Sequence, residues 1–436
     1  MSSYFTIRPS RRISGSMRVP GDKSISHRAL MLGAIASGTT RVSGFLPGED
    51  CLATLAAVRA MGIEVQQHDV TTVTVTGKGL NGLRAASQAI EMGNSGTAMR
   101  LFMGLLAAQG FDSTLIGDES LSRRPMERVA VPLRQMGAVI ETTDGKPPVR
   151  ISGGNELQGI SYVMPVASAQ LKSALLLAGL YASGETRLTE PAVSRDHTER
   201  MLISLGQPVR CTAGTVSLSG GGQLTGADIN VPGDLSSAAF FVLAASLAAE
   251  GELIIDNVGL NPTRTGILRI LELMGADLRI EPAAGAGAEP VGRLIIRPAE
   301  LHGVAIPPEL VPLAIDEFPM VFVAAALARG ETIVSGAAEL RHKESDRISV
   351  MVAGLRALGI EVEELPDGAR IQGGRFSGGT INSHGDHRVA MAFAVGAARA
   401  TGPLRILDTA NVATSFPGFV AQATAVGLAI EAGTDG

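Results

Sequence analysis

One pattern recurs six times along this chain: a few polar residues, an apolar helix of small residues, a glycine and a short strand. The copies are "GDKSISHRALMLGAIASGTTRVSG", "GNSGTAMRLFMGLLAAQGFDSTLIG", "SAQLKSALLLAGLYASGETRLTE", "GDLSSAAFFVLAASLAAEGELIIDN", "DEFPMVFVAAALARGETIVSG" and "GDHRVAMAFAVGAARATGPLRILD". They begin at Gly21, Gly93, Ser168, Gly233, Asp316 and Gly385, a repeat of about seventy residues. Each copy has a second helix, as in "DCLATLAAVRAMGIEVQ" and "KESDRISVMVAGLRALGIEVEE", with apolar residues at three- and four-residue spacings and a glycine where a C-terminal cap belongs. Short strands such as "VTVTG", "VRISGG" and "ARIQGG" complete the unit, which reads as strand, helix, strand, strand, helix, strand.

The first helix of each unit is apolar nearly all round, which predicts burial with only its polar N-terminus outside the core; the amphipathic second helix belongs on the outside. The segment "NVPGDLSS" mirrors "RVPGDKSIS" near the start, and the division falls there. The expected fold is α/β, with two domains each of three βαββαβ units whose buried helices run parallel. One domain spans 21–232; the other spans 233–436 and is completed by the N-terminal strand in 1–20. Helix N-termini aimed at one face of each domain would attract anions through their unpaired N–H groups and macrodipoles, placing an active site in the interdomain cleft.

Composition narrows the ligand. Of 436 residues 45% are hydrophobic and 18% charged, a globular balance, while a net charge of −5, no Trp and three Tyr offer little to nucleic acid. The anion is therefore expected to be small. Cys51 and Cys211 form neither a disulfide framework nor a metal cluster with His, so the expectation is a reduced, cytoplasmic chain without metal or cofactor. No apolar signal core opens the sequence, and runs such as "ALLLAGLYA" fall short of the ~20 residues of a membrane span.

Positive charge gathers where it is electrostatically unfavourable, at helix starts: Lys23, Arg28, Arg100, Arg123, Arg124, Lys172, Arg195, Lys343, Arg347 and Arg388. Singly, each is an ordinary surface or pairing charge; recurring at corresponding places, they suit a ligand with several phosphate or carboxylate groups. Gly96 in "GNSGTAMR" lets backbone approach a ligand or simply ends a turn, and Ser168 and Gln170 offer neutral hydrogen bonds or a cap. Asp316 and Glu344 stand beside cations as candidate proton carriers. For Glu317 and Asp346 the reading is capping or pairing with an Arg, and for His27 and His387 packing at a helix start.

Taken in order, "PGDKSISHRA", "GNSGTAMR", "RRPM", "SAQLKSALLLAGL", "RDHTERML", "VPGDLSSAAFF", "NPTRTG", "IDEFP", "RHKESDR", "GDHRVAMA" and "TSFPGF" resemble the 5-enolpyruvylshikimate-3-phosphate synthase family across essentially the whole chain. The resemblance implies transfer of the enolpyruvyl group of phosphoenolpyruvate to the 5-hydroxyl of shikimate 3-phosphate, with release of phosphate. It implies Lys23 shared by both substrates; Ser24, Arg28, Ser168, Ala169, Gln170, Arg195, Asp316 and Lys343 with shikimate 3-phosphate; and Gly96, Arg124, Gln170, Arg347 and Arg388 with phosphoenolpyruvate. Asp316 matches the family's proton-shuttling carboxylate, and Glu344 the acid that protonates the methylene carbon. No cofactor, nucleic acid or membrane partner is implied, and a monomer is expected.

Ala413 and Thr414 stand where the best-known class has a lysine before its "TFP", and Ala169 replaces a serine; with "RDHTE" these features are similar to the family's second class. That class often carries Ala in place of Gly96, which restricts glyphosate, so glyphosate is expected to compete with phosphoenolpyruvate here. Two alternatives stand beside this reading. One is the sister transferase acting on UDP-N-acetylglucosamine, which uses a mobile-loop cysteine and a Lys-Asn pair where this chain has Lys23 and Ser24; the other is a non-catalytic binder of phosphorylated metabolites.

Overall fold

Hydrogen bonding gathers the strands of the computed structural model, which describes residues 3–212, 214–283 and 287–434, into six small sheets. The sheet in the order Ile90–Glu91, Ser113–Ile116, Lys146–Ser152, Val139–Thr143 is representative. Ile90 pairs in parallel with Leu115, which requires a crossover, and the buried helix Gly96–Leu106 supplies it. The second helix, Glu127–Gln135, then leads into an antiparallel hairpin that turns through Asp144 and Gly145, both at positive φ.

The order within a unit is thus strand, helix, strand, helix, strand, strand. The expected order, with two strands between the helices, is corrected by the pairing: one strand is fixed between the helices by the parallel crossover, and the other two must be adjacent in sequence to form a hairpin. In the sheet of Glu331–Val334, Gly368–Gln372 and Val362–Leu365, the parallel bridge of Ala305 to Ile333 takes the place of the fourth strand.

The helices are α1 (Lys23–Ile35), α2 (Glu49–Ala60), α3 (Gly96–Leu106), α4 (Glu127–Gln135), α5 (Ala169–Gly179), α6 (His197–Ser204), α7 (Leu235–Leu247), α8 (Gly266–Leu273), α9 (Val311–Ala314), α10 (Phe318–Leu327), α11 (Arg347–Ala357), α12 (His387–Gly396) and α13 (Phe419–Ala425). The chain divides into two compact units: an N-terminal unit, Gly21–Val231 with residues 286–289, and a C-terminal unit of Met1–Pro20, Pro232–Gly285 and Pro290–Gly436. Each has its own apolar core, built in the N-terminal unit around α1, α3 and α5 and in the C-terminal unit around α7, α10 and α12. In the C-terminal unit the strand Ser3–Arg8 lies between Leu404–Leu407 and Ala429–Thr434.

Small residues set how closely the buried helices approach. A Cβ on Gly104 of α3 would lie 2.0 Å from the carbonyl oxygen of Ala174 on α5, so these two helices cross at a distance that only glycine permits. Aspartate or serine side chains then close the exposed N–H groups: Asp22 accepts from Ile25, Ser95 from Ala98, Ser168 from Leu171, Asp234 from Ser236, Asp346 from Ser349 and Asp386 from Arg388.

The run Pro308–Leu327 is long and apolar enough to cross a membrane, longer than any run singled out from the sequence. It is, however, a series of short 3-10 and α-helical segments broken around Asp316 and Glu317, and most of it is buried in the C-terminal core, the pattern of a core helix.

Candidate functional site

In the N-terminal unit the polar ends of α1, α3 and α5 come together. Gly104 brings α3 against α5, so the Arg100 guanidinium reaches the Gln170 side-chain oxygen, and the Gln170 amide donates to Thr97 at 2.8 Å. His27 on α1 lies 3.4 Å from the Ser95 hydroxyl that caps α3, and Arg28 donates to Ser173 of α5 at 2.8 Å. Around this junction stand Lys23, Ser24, Gly96, Ser168, Ala169 and Gln170, with Arg124 beside Gly96: a Cβ on Gly96 would sit 2.7 Å from Arg124 Nη1.

Two cations that the sequence assigns to one ligand behave differently. Lys23 is partly exposed and pairs at 2.9 Å with Asp50, which opens α2. Arg28 is 4% exposed and held on every side, by Thr198 at 2.7 Å, Ser173 at 2.8 Å and the Ser24 carbonyl at 2.8 Å. Burial lowers its pKa to about 10, helped by the charge of half-buried Arg195, and it stays cationic at neutral pH. His27 is buried and neutral, its pKa lowered to about 3 by burial and by Lys23 and Arg28, and Thr54 lies 2.7 Å from its Nδ1. Of the polar residues that open α1, Lys23 and Ser24 stay partly exposed as the sequence suggests, whereas Ser26, His27 and Arg28 are drawn inside the unit.

Lys172, one of the helix-start cations, is an internal pairing residue. It is 1% exposed and lies 2.7 Å from both Glu190 and Glu199. Arg123 pairs with Glu119 on the surface.

In the C-terminal unit one guanidinium organises the acids. Arg347, 1% exposed at the start of α11, donates to Asp386 at 2.8 Å and Glu344 at 2.6 Å, and lies 3.5 Å from Asp316. Burial opposes its charge, but Asp386, Glu344 and Asp316 outweigh burial and raise its pKa, while Arg347 in turn holds the fully buried Asp386 below the usual carboxylate range. Lys343 Nζ is 3.3 Å from Asp316, and Arg388 donates to the Asp316 carbonyl at 3.1 Å. Asp316 and Glu344, the two candidate proton carriers, are thus partly exposed carboxylates sharing a single buried cation. Such a cluster suits proton transfer beside an anion, because the acids are oriented without being sealed from a substrate.

The sequence reading missed Asp50 and Asp386. Asp386 lies inside the quoted "GDHRVAMA" and its cap position was available; Asp50 has no local signal, since only the packing of α2 against α1 brings it to Lys23. Asp346 caps α11 and pairs with Arg341, and His387 lies 3.1 Å from the Ser415 hydroxyl, as read from the sequence. Among the described residues no group of three or more His, Cys, Asp and Glu is arranged to hold a metal. Cys51 is buried within α2 and Cys211 is exposed in the strand Arg210–Thr212, with partial desolvation and the nearby Glu199 raising its pKa; neither has the setting of a loop nucleophile.

Comparison with known proteins bears on the chain as a whole. A sequence model of the EPSP synthase family (3-phosphoshikimate 1-carboxyvinyltransferase) matches residues 7–422. The 3-phosphoshikimate 1-carboxyvinyltransferase of Alkalilimnicola ehrlichii is 58% identical over 98% of this chain and 97% of its own, and that of Methylococcus capsulatus is 56% identical over 98% of each. The solved EPSP synthase of Acinetobacter baumannii superimposes with a TM-score of 0.89 at 51% identity, all of both chains being covered. The enolpyruvyl transferase NikO from Streptomyces tendae shares the fold, with a TM-score of 0.79 at 19% identity over the whole of both chains. With the family model spanning nearly the full length and relatives more than half identical from end to end, this chain belongs to the EPSP synthase family.

Proposed function

We propose that the chain transfers the enolpyruvyl group of phosphoenolpyruvate to the 5-hydroxyl of shikimate 3-phosphate and releases phosphate, a step in aromatic amino acid biosynthesis. The observation that carries this reading is the placement of Asp316 and Glu344 on one buried guanidinium, Arg347, in a chain of this family. In the proposed mechanism Glu344 gives a proton to the methylene carbon of phosphoenolpyruvate, which leaves C2 electrophilic. The 5-hydroxyl oxygen bonds to C2 as Asp316 takes its proton, forming a tetrahedral adduct. The bond from C2 to the phosphate oxygen then breaks as Asp316 passes its proton to the departing phosphate, and the methyl carbon returns a proton to Glu344 as the double bond re-forms, so both acids regain their starting states. Side-chain cations match the charge that accumulates on the phosphate and carboxylate groups.

Lys343 beside Asp316, and Lys23, Ser24, Arg28, Ser168, Ala169, Gln170 and Arg195 in the N-terminal unit, are assigned to shikimate 3-phosphate. Lys23, Gly96, Arg124, Gln170, Arg347 and Arg388 are assigned to phosphoenolpyruvate. Gln170 is held between Arg100 and Thr97 and Lys23 is held by Asp50, so both present fixed polar groups. Arg28 also fixes Ser24 and α5 from within its unit. The reading includes a cytoplasmic monomer that glyphosate inhibits in competition with phosphoenolpyruvate; gel filtration and an inhibition assay test these points.

Phosphate release from the purified protein, with the two substrates together and singly, tests the reaction. Release that needs both substrates, and falls at least about 100-fold in Asp316→Ala and in Glu344→Ala, is the expected result. Binding of shikimate 3-phosphate without release would identify a non-catalytic binder instead.

A further inference from the structure

Glu317 is next to Asp316, yet its carboxylate does none of the ordinary work of a helix start. It occupies the N-cap position of α10 without making a cap hydrogen bond, and it is 1% exposed. Its Oε1 accepts instead from the Ser236 hydroxyl in the first turn of α7 and from Arg388 Nη1 at 3.4 Å, with Arg264 Nη2 at 4.0 Å. Arg264 is anchored in turn by Asp234 at 2.9 Å and by Ser236. Oε2 is buried without a hydrogen-bond partner among the described residues. Leaving half a buried carboxylate unsatisfied is a costly way to brace a turn that a neutral residue would serve.

What this arrangement does is hold one corner of Arg388. Among the described residues the hydrogen bonds and ion pairs of that guanidinium all run through Nη1, to the Asp316 carbonyl at 3.1 Å and to Glu317. A planar guanidinium pinned at one corner has its plane fixed, and its opposite edge keeps two N–H groups in the fork geometry that meets a carboxylate or phosphate. We propose that Glu317, braced by Ser236 and Arg264, is the positioning residue that orients Arg388 toward the phosphorylated, carboxylated three-carbon substrate; this rests on the enolpyruvyl-transfer reading above. The Ser236 hydroxyl, which corresponds in the repeat to Ser24 of the N-terminal unit, is then an internal brace committed to Glu317.

Steady-state phosphate release in wild type, Glu317→Gln, Arg388→Lys and the double variant, with thermal unfolding alongside, tests this. Glutamine keeps the shape and removes the charge, so the KM for phosphoenolpyruvate is expected to rise about tenfold while that for shikimate 3-phosphate stays within about twofold. In the Arg388→Lys background the same change is expected to add less than about twofold, because the charge acts through Arg388. Equal rises in both KM values, an unmoved phosphoenolpyruvate KM, or a full tenfold effect without Arg388 would overturn the proposal. If Glu317→Gln does not fold, Ser236→Ala decides: the expected result is a rise of about threefold in the same KM alone, and no rise overturns it. Absence of turnover in the wild type would overturn the enolpyruvyl-transfer reading and this proposal together, whereas an active wild type with an unmoved KM in the variants overturns only the role of Glu317.

Discussion

Lys172→Met removes the cation from a buried cluster in which two carboxylates depend on it. Lys172 stands 2.7 Å from Glu190 and 2.7 Å from Glu199, and it also donates to the Ser194 carbonyl at 3.3 Å. Glu190 keeps the Ser194 N–H and hydroxyl as partners, but the Glu199 oxygens have no hydrogen-bond partner among the described residues beyond this ion pair. Breaking a buried pair by removing one member costs about 3–5 kcal/mol, because the remaining charge is left uncompensated. For a unit of this size that corresponds to a fall of roughly 6–20 °C in its unfolding temperature.

The pH dependence has a defined sign. Burial already pushes the Glu199 pKa up, and removing Lys172 takes away the main charge that opposes it, leaving the smaller influence of a backbone N–H. A carboxyl whose folded pKa lies above its unfolded value of about 4.3 contributes stability at low pH that is lost as pH rises through the folded pKa. The variant is therefore expected to be most destabilised at pH 8 and to recover part of the loss near pH 5. Urea unfolding followed at both values, with Lys172→Met/Glu199→Leu as the partner variant, measures this. The double variant is expected to regain at least half of the lost stability, since an apolar replacement of a buried pair is close to neutral. A single variant within about 1 kcal/mol of wild type, or a loss that does not depend on pH, would refute the reasoning. Loss of the contact to the Ser194 carbonyl also loosens the loop that carries Arg195, which Glu190 still holds through the Ser194 N–H and hydroxyl, so the KM for shikimate 3-phosphate is expected to rise modestly even where the fold survives.

Gly96→Ala sets a methyl carbon 2.7 Å from Arg124 Nη1, and the flexible end of that side chain must give way. The expected result is a rise of a few-fold in the phosphoenolpyruvate KM and a larger rise in the glyphosate inhibition constant; equal rises would show that the methyl does not discriminate. Gly104→Ala drives a methyl into the α5 backbone at 2.0 Å and is expected to destabilise by more than about 2 kcal/mol and to slow turnover by separating Arg100 from Gln170. His27 has a folded pKa of about 3, below its unfolded 6.5, so its neutral form contributes stability above pH 6.5 that is lost as pH falls toward 3. His27→Gln is expected to flatten that part of the acid-unfolding curve and to leave the activity profile between pH 6 and 8 unchanged in shape; a shifted profile would make His27 a proton carrier.

The six-fold repeat, the buried character of the first helix in each unit and the acids and cations that open those helices are all legible in the amino-acid sequence, because each is written at fixed spacings within single segments. The sequence also carries enough ordered motifs to identify the family, and full-length relatives show the same family. Local spacing does not determine which charges face one another. Lys172 and Lys23 look alike as helix-start cations, yet one is sealed between Glu190 and Glu199 and the other is partly exposed beside Asp50. Arg347 finds Asp386 at the helix start of the next repeat, and Glu317 finds Ser236 and Arg264 from the repeat before its own. These partners are brought together only when helices cross at distances set by residues such as Gly104, since a buried charge is satisfied by whatever packing delivers to it and not by its neighbours in sequence. The order of strands is also decided at that level: a parallel pair demands a crossover and a hairpin demands adjacency, and neither constraint is visible in hydrophobic periodicity alone.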